Sequence, residues 1–323
     1  IEQNSSTFAN DRALWRNESW YPQVSGSIPI GFGPKGVMVG GAIKIIDCKT
    51  GYCDYSDNFN DWVETIDSQG SGWLWQSISF GDSSKYIGIT LKNSSEGAVA
   101  AAKSGKSNRF ESGNNTGVHI SRSIGPDTSI RAGIDNLIHW DQDIAKHDNK
   151  SAFIVLSQRI RLHNNPKNPW LKNAYLTAGA GNGEYKSLDN SIRDQIYAQR
   201  DAGCSTFGFM PPEDCSASER FEAVKKAGDY GSPTPIGSLT IAVHNQLNII
   251  SEWSGRNLNI GASIQPFEEL GLNFTIMGES LLRNCEYGCD INISNYGKPV
   301  PLPTNVLTNR PKVSLNVSFD LKF

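Results

Sequence analysis

The chain has 323 residues, of which 30 are basic and 33 acidic, and its formal net charge is -3. This balance gives no electrostatic support for nucleic-acid binding, and no run approaches the ~20 apolar residues that a membrane helix requires. The sequence begins at Ile1 without a basic and apolar leader. We therefore expect an exported, mature form whose signal peptide has been cleaved.

Residues 1–35 precede the first strand-like pattern and show no regular alternation of apolar and polar side chains. They contain several glycines and prolines together with the large aromatic residues Trp15, Trp20, Tyr21 and Phe32. This composition differs from that of a solvated linker, because such rings favour burial against a surface. We expect the segment to pack against the rest of the chain or against a partner.

Twelve segments after residue 35 alternate apolar and polar side chains, which is typical of strands whose two faces meet different environments. Most are close to the ~9–11 residues that carry a tilted strand across a bilayer. The segments are 36–47, 72–80, 85–92, 117–124, 128–140, 152–162, 171–181, 236–244, 247–253, 258–265, 271–280 and 313–323. Some are short and a further strand is conceivable at 28–32, so we predict about 12 strands, within a range of 10–14.

The connections between these segments alternate between long and short. Long ones follow the first, third, fifth, seventh and eleventh segments, including an insertion at 182–234, whereas the one after the ninth is short. The even segments all end in tight turns. Antiparallel strands send alternate connections to opposite ends, so the long loops share one end. The pattern predicts an all-β, antiparallel, up-and-down transmembrane β-barrel with long outer loops. A soluble β-sandwich is the alternative, but its outward face should be polar and its loops need no such sorting.

The six cysteines fall in three close pairs within the long connections. Pairing by proximity is one of 15 connectivities, and it predicts three local disulfides that staple the outer loops. The alternative, a zinc site made by two of the pairs, lacks an adjacent histidine. The pairs are Cys48 with Cys53, Cys204 with Cys215, and Cys285 with Cys289.

The closing segment, "KVSLNVSFDLKF", ends in an aromatic residue after strict alternation. It resembles the C-terminal signature of Gram-negative outer-membrane β-barrel proteins. This resemblance implies a place in the cell outer membrane, contact with its lipid, and recognition of Phe323 by the barrel assembly machinery. The blocks "NLIHW", "GAGNGEY" and "EWSGRNLNIGASIQPF" resemble blocks in uncharacterised cyanobacterial outer-membrane barrels, which implies a fold and names no substrate.

In this arrangement residues 36–323 form the barrel, and residues 1–35 are a periplasmic segment, a plug or a contact for a partner. Because alternate residues of a strand face opposite sides, the odd or even position of a charged residue in its strand, called parity below, predicts whether its side chain faces the interior and lines a pore. The residues predicted to do so are Lys44, Lys92, Arg131, Asp135, Arg159, Arg161, Glu252, Glu279, Asp320 and Lys322. Arginines on one wall and glutamates on the opposite wall would produce a transverse field. Alternatively, the same charges pair and fill the interior.

Aromatic residues fall near strand ends, as expected for girdles at the membrane interfaces. These residues are Trp73, Trp75, Trp140, Trp170, Tyr175, Trp253 and Phe323. Parity places the first two and Tyr175 inward, where filling of the interior is the favoured role.

Little in the sequence indicates catalysis. His119 and Ser121 share a strand face, as in the outer-membrane phospholipase, but the His-x-Ser-Asn-Gly run of that enzyme is absent. Asp54, Asp57 and Asp61 could bind calcium, but their arrangement in the sequence is not specific for a calcium site. No cofactor motif is found in the sequence. The favoured hypothesis is therefore a non-enzymatic, porin-like channel for passive diffusion of small polar solutes. The alternatives are a non-conducting barrel, whose stapled loops serve adhesion, surface attachment or assembly with a partner or further copies, and a soluble secreted sandwich that binds carbohydrate.

Overall fold

The structure is a computed structural model that describes residues 6–46, 71–96, 114–140, 149–163, 169–187, 229–283 and 312–323. Within these residues the chain forms a three-stranded sheet and a closed barrel of twelve strands. The prediction of an all-β, up-and-down antiparallel barrel is confirmed, and the alternative of a sandwich is wrong. In the part of the chain described, no helix has the length and apolar character needed to cross a membrane.

Every barrel strand pairs antiparallel with its neighbours in the chain, and the last strand pairs with the first to close the barrel. The N-terminal sheet consists of β1 Phe8–Asn10, β2 Ala13–Arg16 and β3 Ser19–Tyr21. The first six barrel strands are β4 Met38–Ile46, β5 Ser71–Gly81, β6 Gly88–Glu96, β7 Asn115–Ser123, β8 Thr128–His139 and β9 Ser151–Arg161. The remaining six are β10 Trp170–Gly181, β11 Thr234–His244, β12 Leu247–Trp253, β13 Asn257–Ile264, β14 Gly271–Arg283 and β15 Lys312–Lys322.

The two faces of β15 show how the alternation is used. Ser314 and Asp320 are buried in the interior, whereas Phe319 and Leu321 are exposed on the outside. Because successive side chains point to opposite sides of a strand, one closed sheet separates the two sets completely. The barrel is therefore polar inside and apolar outside, which is the reverse of the arrangement in a soluble protein.

Two β-bulges interrupt the alternation near the ends of β8 and β14. Asn136 and Ser280 have positive φ values of 56 and 62, and the pairing register shifts at both places. In β8, Asp135 and Asn136 are consequently both buried, and the next two residues are both exposed. The strict parity predicted for 128–140 therefore fails at Asn136 and Leu137 and resumes at Ile138, because β8 advances by four residues at this bulge while β7 advances by two.

The barrel has two unlike rims. The short-turn rim carries the connections 82–87, 124–127, 245–246 and 265–270, the strand ends that border residues 162–169, the start of β4 and the end of β15. The long-connection rim carries the strand ends that border the connections 47–70, 97–114, 140–150, 182–233, 254–256 and 284–311. All six cysteines lie outside the described residues, so the three disulfides stay a prediction. The same holds for most of the insertion 182–234.

Residues 6–35, called the N-terminal segment from here on, lie inside the barrel. The strands β1, β2 and β3 form a small antiparallel sheet there, and the chain then crosses the interior before it enters β4. The further strand considered at 28–32 does not form. At the other rim, Gly183–Tyr185 form one turn of 3-10 helix after β10.

Candidate functional site

The interior of the barrel is the candidate functional site, and the N-terminal segment touches every wall strand in it. These contacts are hydrogen bonds, ion pairs, ring contacts and close backbone approaches. One contacted wall residue from each strand, in the order β4 to β15, is Gly40, Ser79, Lys92, Ser121, Arg131, Ser157, Tyr175, Thr240, Glu252, Ser263, Thr275 and Asp320. The segment is thus held from all sides.

The N-terminal segment brings its own apolar core into a polar interior. One cluster joins Leu14, Ile30 and Phe32 to Tyr175 of the wall, where the two rings meet edge to face with centroids 6.2 Å apart. A second cluster is formed by Phe8, Ala13, Trp15, Trp20 and Met38. These clusters explain why an aromatic-rich stretch without alternation can fold here, since its rings are covered by neighbours within the segment and by the wall.

Asp11 is the charged centre of the contact with β6 and β8. Its carboxylate lies 3.7 Å from Lys92 Nζ and 4.0 Å from Arg131 Nη1, and Arg12 is also within 4.0 Å. Burial acts to raise the pKa of Asp11, but the three cations outweigh it and lower the pKa to about 2. The side chain of Arg131 is fully buried and also donates to the Phe32 carbonyl.

Glu252 on β12 is the acceptor that holds the deep loop of the N-terminal segment. Its carboxylate accepts hydrogen bonds from Ser25 Oγ at 3.0 Å, Gly26 N at 2.9 Å and Ser27 N at 3.2 Å. Ser27 Oγ donates as well, and Asn259 Nδ2 donates at 3.2 Å from the next strand. Successive backbone N–H groups that converge on one anion form a nest, and here the anion is supplied by the wall.

Arg12, which follows β1, contacts the loop of the N-terminal segment that meets Glu252. Its guanidinium donates to the carbonyls of Gly26 and Ser27, the latter at 3.1 Å. It also lies 5.8 Å from the centre of the Trp75 ring, which faces inward as parity predicts. The loop that contacts Glu252 is therefore also held by the Arg12 guanidinium, which belongs to the same segment.

The other charged residues predicted to line a pore also face the interior, and each has a partner. Lys44 forms an ion pair with Glu279, and Asp320 accepts from Asn10 Nδ2 at 2.6 Å. The Lys322 ammonium lies 4.2 Å from the centre of the Trp15 ring. The two remaining arginines, Arg159 and Arg161, both pair with Asp127 of the β7–β8 turn. The alternation along the strands predicts which charges face the interior but not what they contact. In the structure they contact neighbouring side chains of the wall and of the N-terminal segment.

A second group of polar residues lies toward the long-connection rim. Asp135 Oδ1 is 2.9 Å from His119 Nε2, and Tyr185 Oη donates to Asp135 Oδ2 at 3.2 Å. Asn136 Nδ2 donates to Glu184 Oε1 at 2.8 Å. Partial loss of hydration inside the barrel, together with the negative charge of Asp135, raises the pKa of Glu184 to about 7, although its side chain still reaches solvent.

Within the described residues, His119 and Ser121 do not form the paired base and nucleophile of a hydrolase. Ser121 Oγ donates to the Gly88 carbonyl at 3.2 Å, and His119 is engaged by Asp135, with Phe153 edge-on at 4.9 Å between ring centroids. Among the described residues no hydrogen bond joins the two, and no group of His, Cys, Asp or Glu is arranged to hold a metal ion. The calcium candidates Asp54, Asp57 and Asp61 lie outside the described residues.

Sequence reasoning missed several partners in the interior. These are Asn10, Asp11, Arg12, Asp127, Asn136, Glu184 and Tyr185. The only available signal was the pair of charges at Asp11 and Arg12 within an otherwise apolar and aromatic stretch, since a charge that must be buried requires a partner.

The aromatic residues are divided between the interior and the rims. Trp75 and Tyr175 are inside, and the side chain of Trp73 lies outside what the structure describes. Trp140 is exposed at the long-connection rim, whereas Trp170 and Phe323 are exposed at the short-turn rim. Tyr86 and Phe267 add exposed rings at the short-turn rim, and sequence reasoning did not include them.

Comparison with known proteins does not identify a family for this chain. No family model matches the chain, and no curated protein matches it, so the resemblance to cyanobacterial barrels gains no support. Solved structures that are similar include mutant forms of the porin of Rhodopseudomonas blastica, at 10% and 11% sequence identity and TM-scores of 0.29 and 0.28. Each alignment covers 96% of this chain and 82% of the porin.

Proposed function

We propose that this chain is an outer-membrane, porin-like channel for small polar solutes, and that its own N-terminal segment plugs the lumen at rest. The observation that carries the proposal is the reversed distribution of polarity across one closed sheet. An apolar outer belt matches hydrocarbon, and in a closed barrel every strand finds partners on both sides, so no backbone edge meets lipid. Exposed rings at both rims support the same placement.

The outer belt is apolar on every barrel strand that the structure describes. Exposed aliphatic and aromatic side chains occur from Val39 on β4 to Leu321 on β15. A surface of this kind would be an aggregation hazard in water, because exposed apolar patches on soluble monomers rarely exceed a few hundred Å². The proposal therefore assigns the belt to lipid.

The N-terminal segment makes the difference between an open and a closed channel. A twelve-stranded barrel encloses more space than an eight-stranded one filled by wall side chains alone. Here that extra space holds the segment, which contacts all twelve strands. We infer that solutes pass only when the segment moves, and that Asp11 and Glu252 are its main attachments to the wall.

Single-channel recording in planar bilayers tests this proposal. The full chain is expected to be closed for most of the time, and a variant that lacks residues 1–35 is expected to show long, large openings. If the truncated chain fails to fold, Glu252→Ala in the full chain gives the second reading, because it weakens one attachment only. A full chain with the steady conductance of the truncated one would contradict the plug.

The solute class is tested separately by swelling of liposomes that contain the truncated chain. The wall offers both signs of charge and many hydroxyl and amide groups, so small sugars and amino acids are expected to enter faster than larger homologues. No catalytic activity is part of the proposal. Exclusion of all polar solutes by a folded, inserted barrel would contradict the channel.

A non-conducting barrel is the second candidate, and one observation favours it. The segment contacts every wall strand, and buried hydrogen bonds or ion pairs hold it to most of them, so its release would break many contacts at once. In that case the barrel would be an anchor for outer loops that serve adhesion, surface attachment or assembly with a partner. Absence of conductance in both the truncated chain and Glu252→Ala would favour this candidate.

A further inference from the structure

The outer face of β5 to β8 carries a row of polar side chains that interrupts the apolar belt. Gln76, Asn93 and Thr116 are successive partners in the register of β5, β6 and β7. Thr116 Oγ1 donates to Asn93 Oδ1 at 3.1 Å, and Trp140 Nε1 donates to Thr116 Oγ1 at 2.8 Å. These four residues are called the polar seam below. The seam begins at the long-connection rim and descends to the middle of the belt.

Gln76 is the lower end of the seam and the central residue of β5, Ser71–Gly81. It is exposed, and its outward neighbours on the strand are Leu74 and Ile78. At about 3.4 Å per residue and a tilt near 45°, it lies roughly 12 Å from either rim. A glutamine side chain cannot bridge that distance to the headgroups. If the barrel spans a membrane as proposed, this amide faces hydrocarbon.

The Gln76 amide has no hydrogen-bond partner within the part of the chain that the structure describes. The neighbouring Asn93 uses its carbonyl oxygen for Thr116, and no side-chain donor bond of its amide nitrogen is found there either. An amide left unpaired in hydrocarbon is costly, because lipid tails offer neither donors nor acceptors. A partner that supplies both therefore has a clear energetic advantage over lipid.

Space for such a partner exists beside Gln76. Gly41 on β4 is its register partner and also faces outward. A Cβ added there would meet only the Trp75 carbonyl oxygen, at 3.4 Å. The missing side chain leaves a depression next to the amide, and small residues at such places let two membrane-embedded surfaces approach closely.

We propose that the polar seam is the contact between two copies of this chain in the membrane, with their Gln76 amides paired across a twofold axis. A carboxamide carries a donor and an acceptor, so two identical seams are complementary to each other. A second copy of the chain carries the same donor and acceptor at the same depth in the membrane. A different partner would need its own hydrogen-bond donor and acceptor at the same depth. The proposal depends on the membrane placement argued under Proposed function.

Energy transfer between donor- and acceptor-labelled copies in phosphatidylcholine vesicles tests the proposal. Transfer is measured over a range of protein-to-lipid ratios, which gives the dissociation constant of the dimer. Gln76→Leu is expected to raise that constant roughly five- to thirtyfold, the range for interchain hydrogen bonds in membranes. Gly41→Leu is expected to weaken the dimer as well, because it fills the depression and leaves the amide in place.

The matched control is Leu239→Ile, at the central position of β11 on the opposite wall, which should leave the dissociation constant unchanged. Folding and insertion of each variant are checked by the mobility shift of unheated barrels on gels. Failure of the wild type to insert would contradict the membrane placement itself. A wild type that inserts but stays monomeric, or an inserted Gln76→Leu with the wild-type constant, would overturn this inference alone. The inference would also be overturned if the seam of the wild type binds another protein or a lipid in place of a second copy and Gln76→Leu loses that binding.

Discussion

The outer and inner faces of this barrel are made by alternate residues of the same strands, yet they follow different rules. Outside, apolar side chains face a uniform surrounding, and one aliphatic residue can replace another. Inside, polar side chains meet particular atoms of the N-terminal segment, such as the Ser25 O–H and Gly26 N–H groups that donate to Glu252. The outer face is thus specified by polarity and the inner face by individual partners.

The largest effect is expected from a charge on the outer face. Leu239→Arg places a guanidinium at the centre of β11 and should lower the free energy of unfolding in vesicles by up to about 4 kcal/mol. Urea denaturation of the reconstituted protein measures it, with Leu239→Ile as control. Equal stability of the arginine variant and the control would break the comparison, since the face would then not meet lipid.

On the inner face, loss of one specific acceptor should come next. Glu252→Ala removes the shared acceptor of Ser25, Gly26 and Ser27 and leaves buried donors unpaired, which costs about 2–3 kcal/mol. Hydrogen exchange of the Gly26 and Ser27 amides should become faster, while exchange in β15 should not. Ser251→Ala, the outward neighbour on the same strand, is the control. Unchanged exchange at these two amides would show that the carboxylate does not hold the loop.

Asp11→Asn should have a somewhat smaller, pH-dependent effect. The folded-state pKa of Asp11 is lowered from the ordinary 3.8 to about 2, so its ionised form contributes about 2 kcal/mol of stability. Because the folded pKa is the lower one, this contribution is present above pH 3.8 and is lost as the pH falls toward 2. Denaturation at pH 7 and at pH 2 should therefore show a large difference between variant and wild type only at pH 7.

The smallest effect is expected at Glu184, which stays in contact with solvent. Its folded-state pKa is raised from 4.5 to about 7, so the folded state binds the proton more tightly and loses stability as the pH rises from 4.5 to 7. Glu184→Gln should remove this dependence and keep the hydrogen bond with Asn136. Denaturation curves between pH 5 and pH 8 measure it. A variant that retains the full wild-type slope would assign the slope to another group.

The strands were predictable because alternation is a local property. β15 and β9 lie within one residue of the predicted segments at both ends, and the tight turns set the order of pairing. The bulges at Asn136 and Ser280 were not predictable, since nothing in those residue types alone requires two extra residues there. The bulge in β8 turns Asp135 and Asn136 inward together, where they meet Tyr185 and Glu184.

The sheet of β1 to β3 was missed for a physical reason. Strands of three or four residues that are covered on both sides show no alternation, because neither side meets solvent or lipid. Their aromatic content did indicate a need for burial. The partners of Asp11 lie more than 80 residues away on β6 and β8, so no local pattern identifies them.

By itself, the sequence determined the twelve antiparallel strands, which side chains share a face, and the sorting of long and short connections, because each of these follows from side-chain polarity along a single strand. Only the tertiary structure decided that the polar face encloses residues 6–35, that Glu252 and Asp11 hold them, and that an unpaired Gln76 remains outside. Those outcomes depend on distances between residues far apart in the chain, which are fixed only when the barrel closes.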